Sequence, residues 1–332
     1  MAKPSPSEAV AETSKPLSGK AIIYTGRGGY EVIKVVDRTV RAPGADEVRI
    51  RVKAAAVNPT DIVLRDPGRG DPPVTPGMDA AGVIEAVGPG VSRLHIGDEV
   101  MAAVVPLRPE GGAQAEYIVA PAASVVPIPM GVSLAEAATL PMNGMTALYA
   151  LELTGLSKGQ TLAVSGGAGL LAHYTIAVAK YQGLKVVADA KSEEFDLVRS
   201  YGADIVVERG PEFASTIRTK IPEGADALVD TAVLREKCFP AIRDGGVYVH
   251  VRQWQDAPSV RGIRTKLVWA SEVLERTEWL LLLSDLAERD VIKLHITKEY
   301  GPEQAADAQR ALLAGGLRGR PVIVFSPSKF DA

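Results

Sequence analysis

The sequence predicts an α/β fold in which a doubly wound parallel sheet is inserted between two halves of a small β-barrel-like domain. Three observations predict it. Thr161 to Lys191 reads as strand, glycine turn, helix and strand. Residues 47–126 hold short apolar runs broken by turns about every ten residues, the texture of a small barrel. Beyond Gly202, strand-like and helix-like runs alternate, as in a parallel sheet covered on both faces.

The glycine turn is the most specific signal. Leu162, Ala163 and Val164 form an apolar run ending at Ser165, and Gly166, Gly167 and Gly169 follow. Gly167, Gly169 and Ala172 match the Rossmann spacing, in which a tight turn lets backbone approach a pyrophosphate at a helix start. The amide hydrogens along this bend, from Gly166 through Leu170 and Leu171, are expected to receive it. Asp189 ends the next strand twenty residues after Gly169, where a carboxylate would accept from an adenosine ribose and repel a 2′-phosphate. That argues for NAD(H), whereas Lys191 would attract a phosphate. Two bulky leucines stand where such turns often hold small residues.

Bulk properties bound the rest. A length of 332 residues suggests about two domains. A net charge of −3 gives nucleic acid no electrostatic footprint. No apolar run reaches the roughly 18 residues of a membrane span. Cys238 stands alone, so an internal disulfide and a cysteine-rich zinc lobe are excluded. With no apolar leader visible, a cytoplasmic protein is expected.

Residues 1–18 are rich in Pro, Ser, Glu and Lys and are expected to form a mobile tail. Order is expected near Lys20, with Ala21 to Tyr24 as a first strand. From Glu47 to Ala54 alternation is strict, placing Val48, Ile50, Val52 and Ala54 inside and Arg49, Arg51 and Lys53 outside. Ser133 and Glu136 form a capping-box pattern. Helices are expected over 272–288 and 303–314, the second between Pro302 and Gly315, and a closing strand over 322–325. The expected division is 19–141 plus 272–332 for the first domain and 142–271 for the second.

Several stretches, in order, resemble one family. They are Asn58-Pro59-Thr60-Asp61 with Arg65, Pro76-Gly77-Met78-Asp79-Ala80-Ala81-Gly82, Gly88-Pro89-Gly90 and Gly97-Asp98-Glu99-Val100. Leu140-Pro141 with Thr146-Ala147, the glycine turn, Gly202-Ala203-Asp204, Val229-Asp230-Thr231 and Gly245-Gly246 follow. Together they resemble the medium-chain dehydrogenase/reductase superfamily, near its zinc-free quinone oxidoreductase branch, over residues 20–326. The resemblance implies a GroES-like catalytic domain around a Rossmann domain, a dimer paired through the last Rossmann strand near 263–270, and NADP(H) as the branch's usual cofactor. It also implies hydride exchange between NAD(P)(H) and a carbonyl-conjugated small molecule. Zinc-using relatives place Cys, His-Glu and Cys where this chain has Asn58, Met78-Asp79 and Met142; only Asp79 among them suits Zn²⁺, which wants three protein ligands. No zinc is therefore expected.

The catalytic candidates are Asn58, as a holder of carboxamide or substrate oxygen, and Thr60, as a hydroxyl donating to a developing enolate. Either could equally serve a turn. Thr146, Val249, His250 and Val251 are expected beside the nicotinamide by resemblance, and Asp61 is expected to pair with Arg65. Arg318 and Arg320 are expected as solvated surface. The function expected is zinc-independent reduction of a quinone or α,β-unsaturated carbonyl. A tailoring enzyme with another substrate and a non-catalytic dinucleotide binder stay open as alternatives.

Overall fold

The computed structural model describes residues 15–325. It divides into two compact units, Met1–Met142 with Leu274–Glu288 and Leu294–Ala332, and Asn143–Val273 with Arg289–Lys293. The expected tail lies outside the described residues as far as residue 14, and its last two residues already belong to a strand.

In the first unit, β1 (Leu17–Tyr24) and β2 (Ile33–Val40) pair antiparallel. The ten-residue β3 (Glu47–Ala56) is the spine of the larger sheet. It pairs with β4 (Asp79–Val87) on one edge. On the other it pairs first with β6 (Tyr117–Pro121) and then, near Ala54–Ala56, with a strand from the chain's end. β5 (Glu99–Ala103) and β7 (Val125–Pro127) extend the β4 side. Val48, Ile50 and Val52 are fully buried, as their alternation predicts. Arg49 is a correction: it also has no exposed surface, because Glu85 and the carbonyls of Lys15 and Arg41 accept its guanidinium hydrogens. A short helix, α1 (Pro59–Val63), follows β3.

The Ser133 cap forms as expected: its Oγ accepts from Glu136 N at 3.2 Å, and Glu136 Oε2 accepts from Ser133 N at 3.1 Å. It starts α2 (Leu134–Ala137), followed by α3 (Pro141–Thr154).

The second unit holds β8 (Thr161–Ser165), α4 (Leu170–Tyr181), β9 (Lys185–Ala190), α5 (Phe195–Ser200), β10 (Ile205–Glu208) and α6 (Phe213–Lys220). It continues with β11 (Ala225–Asp230), β12 (Ile242–His250) and β13 (Arg264–Leu267). The order β10-β9-β8-β11-β12-β13 is wholly parallel and is the 3-2-1-4-5-6 order of the Rossmann fold. Its central strands β8, β9, β11 and β12 are largely apolar and buried, as a sheet covered on both faces requires, whereas the edge strands β10 and β13 are mostly half-buried or exposed.

The chain then returns to the first unit through α7 (Thr277–Glu288), β14 (Ile296–Tyr300), α8 (Ala305–Ala314) and β15 (Arg320–Val324). α7 starts five residues later than expected, after a single 3-10 turn at Ala270–Glu272. Gly315 ends α8 at a φ of 73°, a conformation that suits glycine.

Candidate active site

In the second unit, β8 reaches its C-terminal end at the point where strand order reverses. Ligands bind open α/β sheets at this switch point. The turn there is fixed internally. Gly167 N donates to Asp189 O at 2.9 Å, Gly169 N donates to Gly166 O at 2.8 Å, and Gly166 N donates to the Asp189 carboxylate. A Cβ at Gly167 would stand 2.6 Å from the Asp189 carbonyl oxygen, so only glycine lets helix and strand approach this closely. The three glycine N–H groups, expected as pyrophosphate donors, are thus spent on the turn itself. The donors left for an anion belong to the first turn of α4, Leu170 and Leu171 included; no side chain caps this helix start. Leu170 is buried and Leu171 half-buried. The residues present therefore fit a dinucleotide's pyrophosphate.

Asp189 departs from expectation. The residue is 1% exposed, and its carboxylate accepts from both Gly166 N and Arg209 Nε, the latter at 3.1 Å. It does not stand open for a ribose hydroxyl, and the expectation of NAD(H) loses its basis. Arg209, which the sequence reading missed, follows β10, whose register sets Val207 beside Asp189. Lys191 Nζ stays solvent-exposed, 4.0 Å from Glu193.

Val249 and His250 end β12 with Val251 just beyond it. They lie beside a polar hub at Asp230, whose carboxylate accepts from Ser165 Oγ (2.5 Å), Leu234 N (3.0 Å), Arg235 N (2.8 Å) and Tyr248 Oη (2.6 Å). His250 Nδ1 bonds the Arg252 carbonyl oxygen at 2.7 Å. Thr146 is buried in α3. His173 packs in the unit's interior, stacked on Tyr201 at 3.8 Å.

In the first unit, the positions compared with zinc ligands form a polar network. Asn58 Nδ2 donates to Asp79 Oδ2 at 2.7 Å, Arg320 Nε donates to Asn58 Oδ1 at 2.9 Å, and Met142 N donates to Asp79 Oδ1. Asn58, expected as a substrate contact, is fully buried with both ends of its amide bonded to protein. Arg320, expected as solvated surface, is half-buried against it. Asp61 is not paired with Arg65 as expected: it accepts from Asn58 N (2.8 Å), Gly77 N (2.9 Å) and Gln114 Nε2 (3.1 Å). Arg65 instead donates to the Gly28 carbonyl at 3.1 Å and lies 4.8 Å from the Tyr30 ring centroid. Burial pushes both Asp61 and Asp79 up to about 7, against the hydrogen bonds that favour their charged forms. Thr60 is exposed at the start of α1.

Residues 44–130 match the alcohol dehydrogenase GroES-like domain. An NADPH-dependent alkenal/one oxidoreductase of Arabidopsis thaliana is 34% identical, with 77% of this chain and 68% of that protein covered. A 2-methylene-furan-3-one reductase of Solanum lycopersicum is 31% identical over 95% of this chain and 82% of its own. The solved quinone oxidoreductase of Coxiella burnetii shares the fold, with a TM-score of 0.81 over 93% of this chain and 100% of that one at 24% identity. The sheet order, the glycine turn and these relatives agree, and the chain belongs to the quinone oxidoreductase-like branch of the medium-chain dehydrogenase/reductase superfamily.

Proposed function

We propose that this chain is a reductase of α,β-unsaturated carbonyls and quinones that takes its hydride from NADPH in preference to NADH. One observation carries the reading: an uncapped helix start follows an internally bonded glycine turn at the reversal point of a 3-2-1-4-5-6 sheet. The preference for NADPH rests on Arg209. With Asp189 neutralised by Arg209 and Gly166 N–H, repulsion of a 2′-phosphate is removed, and the guanidinium adds attraction. The NADPH dependence named for the Arabidopsis relative supports the same choice.

When bound, the nicotinamide supplies a hydride to the β-carbon of the conjugated substrate. The C=C pair shifts to the bond between the α-carbon and the carbonyl carbon as the C=O pair moves onto oxygen. One proton taken up on that oxygen gives the enol, which tautomerises to leave that net proton at the α-carbon. Conjugation in the substrate spreads the developing charge, which asks less of the protein than alkoxide formation does. The exposed Thr60 hydroxyl is the proton donor we assign to that oxygen. Asn58 acts as a positioning residue, since Asp79 and Arg320 hold its amide and its backbone N–H fixes Asp61. No metal is assigned. Asn58, Met78 and Met142 are poor zinc ligands, and the Asp79 carboxylate already serves two N–H donors. A homodimer through the β13 edge of the six-stranded sheet belongs to the same proposal, and light scattering would measure it.

The test is steady-state oxidation of NADPH and NADH against a trans-2-alkenal, a methyl vinyl ketone and a benzoquinone. Turnover with NADPH at a kcat/KM at least roughly tenfold above NADH is expected. Cofactor binding without oxidation by any acceptor would reject the reductase reading and leave a dinucleotide-binding protein.

A further inference from the structure

The hub at Asp230 is closed on itself. Where β8, β11 and β12 end, the polar side chains are Ser165, Asp230, Thr231, Tyr248 and His250. The Asp230 carboxylate is taken by four donors. Ser165 Oγ gives its hydrogen to that carboxylate and accepts from Ala232 N at 3.1 Å. Thr231 Oγ1 donates to the Ser165 carbonyl oxygen at 2.6 Å, and Tyr248 Oη donates to Asp230. Every hydroxyl hydrogen in the group is therefore used internally.

His250 is the exception. Its Nδ1 lies 2.7 Å from the Arg252 carbonyl oxygen, which can only accept, so Nδ1 carries the hydrogen. In the neutral ring Nε2 is then a bare acceptor. Among the described residues nothing donates to Nε2, and that atom is not sealed from solvent, although the residue is only 6% exposed. The ring stacks on Tyr248 at 5.7 Å and meets Trp254 edge-on at 6.3 Å. Turning it to find a donor would break the Arg252 bond and that stack. An acceptor fixed in a mostly buried side chain without a donor is unfavourable and points to a ligand that supplies one.

Its place in the sheet says which ligand. A 3-2-1-4-5-6 sheet binds a dinucleotide across the reversal point, with one nucleotide on each half. The Asp189–Arg209 pair lies on the β9 side and is assigned to the adenosine 2′ position, and the start of α4 takes the pyrophosphate. The ends of β11 and β12 are left for the nicotinamide riboside, whose carboxamide N–H and ribose hydroxyls are donors. We infer that His250 Nε2 accepts a hydrogen bond from this half of the cofactor. The inference rests on the dinucleotide-binding part of the reductase reading. The Arg252 carbonyl and the Tyr248 ring aim the imidazole, and His250 itself touches the cofactor.

Calorimetric titration of the full chain, with no electron acceptor present, tests it. The ligands are NADPH, its 3-acetylpyridine analogue, which lacks the carboxamide N–H, and adenosine 2′,5′-bisphosphate, which lacks the nicotinamide half. His250→Asn can still donate to the Arg252 carbonyl but cannot reach the Nε2 position, whereas the longer His250→Gln can place an oxygen there. His250→Phe keeps the stack on Tyr248 without either nitrogen and serves if the Asn form does not fold. We expect the Asn and Phe forms to bind NADPH roughly tenfold more weakly and the bisphosphate as the native protein does, with Gln recovering most of the loss. If the native protein also binds the acetylpyridine analogue roughly tenfold more weakly and the Asn form binds it and NADPH alike, the donor is the carboxamide; if the Asn form weakens both cofactors equally, it is a ribose hydroxyl. Unchanged NADPH affinity in the Asn and Phe forms overturns the inference while the reductase reading stands. Equal weakening of NADPH and the bisphosphate overturns it too, because His250 would then act on the fold of the unit. If the native protein binds neither NADPH nor NADH, the dinucleotide reading itself fails and the role of His250 falls with it.

Discussion

Arg209 Nε donates to Asp189 Oδ2 at 3.1 Å, so the acid that ends β9 and the cation that follows β10 form one unit. The Asp189 side chain is 2% exposed and that of Arg209 40% exposed, so the pair presents its positive end to solvent. Arg209→Ala should therefore restore the unpaired acid and reverse its effect on the cofactor. The expected outcome is a fall of about tenfold in the NADPH-to-NADH ratio of kcat/KM, mostly through KM for NADPH. An unchanged ratio would remove Arg209 from recognition of the 2′ position.

The Asn58–Asp79 bond ties a buried carboxylate to a buried amide, and the burial of that carboxylate, which outweighs the bond, makes stability depend on pH. Burial raises Asp79 from 3.8 to about 7. The folded state therefore keeps a proton that the unfolded chain loses between about pH 4 and pH 7. Stability from this group is full below that window and declines as pH rises through it, by up to about 1.4 kcal/mol per pH unit. Asp79→Asn deletes the titration. Its unfolding free energy, measured in urea from pH 4.5 to 7.5, should fall less steeply with pH than that of the native protein. Parallel pH profiles would mean that Asp79 stays ionised throughout.

Much of the second unit was legible because its signals are local. The strand, the glycine turn and the helix start lie within about a dozen residues, and Ser133 and Glu136 cap α2 within four. Pairings across distance were not legible. Ile33–Val40 is half-buried or exposed at every residue but Val40 and announces itself weakly, so β2 is evident only from its register with β1. Arg209 meets Asp189 through a parallel register twenty residues along, and Arg320 reaches Asn58 across 262. An arginine directly after an apolar strand was the one available hint at Arg209. The burial of Arg49 was hidden for the same reason: alternation puts it outside, and the chain that covers it comes from elsewhere.

Val233 is a β-branched residue at a φ of 59°, where only glycine is unstrained. Val233 is 36% exposed, so its side chain contributes little packing to offset that strain. Left-handed backbone costs a non-glycine residue about 1–2 kcal/mol, and glycine's greater unfolded-state freedom returns part of it. Val233→Gly should raise the unfolding free energy by about 0.5–1 kcal/mol, visible as a higher melting temperature in scanning calorimetry. A lower melting temperature would show that the valine side chain contributes more than its backbone costs.

Arg49 and Glu85 form an ion pair that is closed on one side and open on the other, with side-chain exposures of 0% and 22%. The arginine Nη1 also satisfies the Lys15 and Arg41 carbonyls, at 2.6 and 3.2 Å. Arg49→Ala removes all these bonds and leaves a void beneath them, whereas Glu85 keeps partial access to water. The cost should be about 2–4 kcal/mol, toward the lower end for loss of one member of a buried pair. Arg49→Lys should recover only part of it, because an ammonium lacks the planar fork that reaches a carboxylate and two carbonyls together. Urea unfolding of both variants and of Glu85→Ala checks this. Glu85→Ala should cost more than a surface substitution, since it strands the buried guanidinium. If Arg49→Ala lost under 0.5 kcal/mol, roughly the scale of an ordinary surface change, the guanidinium would be a passenger under the strands that cover it.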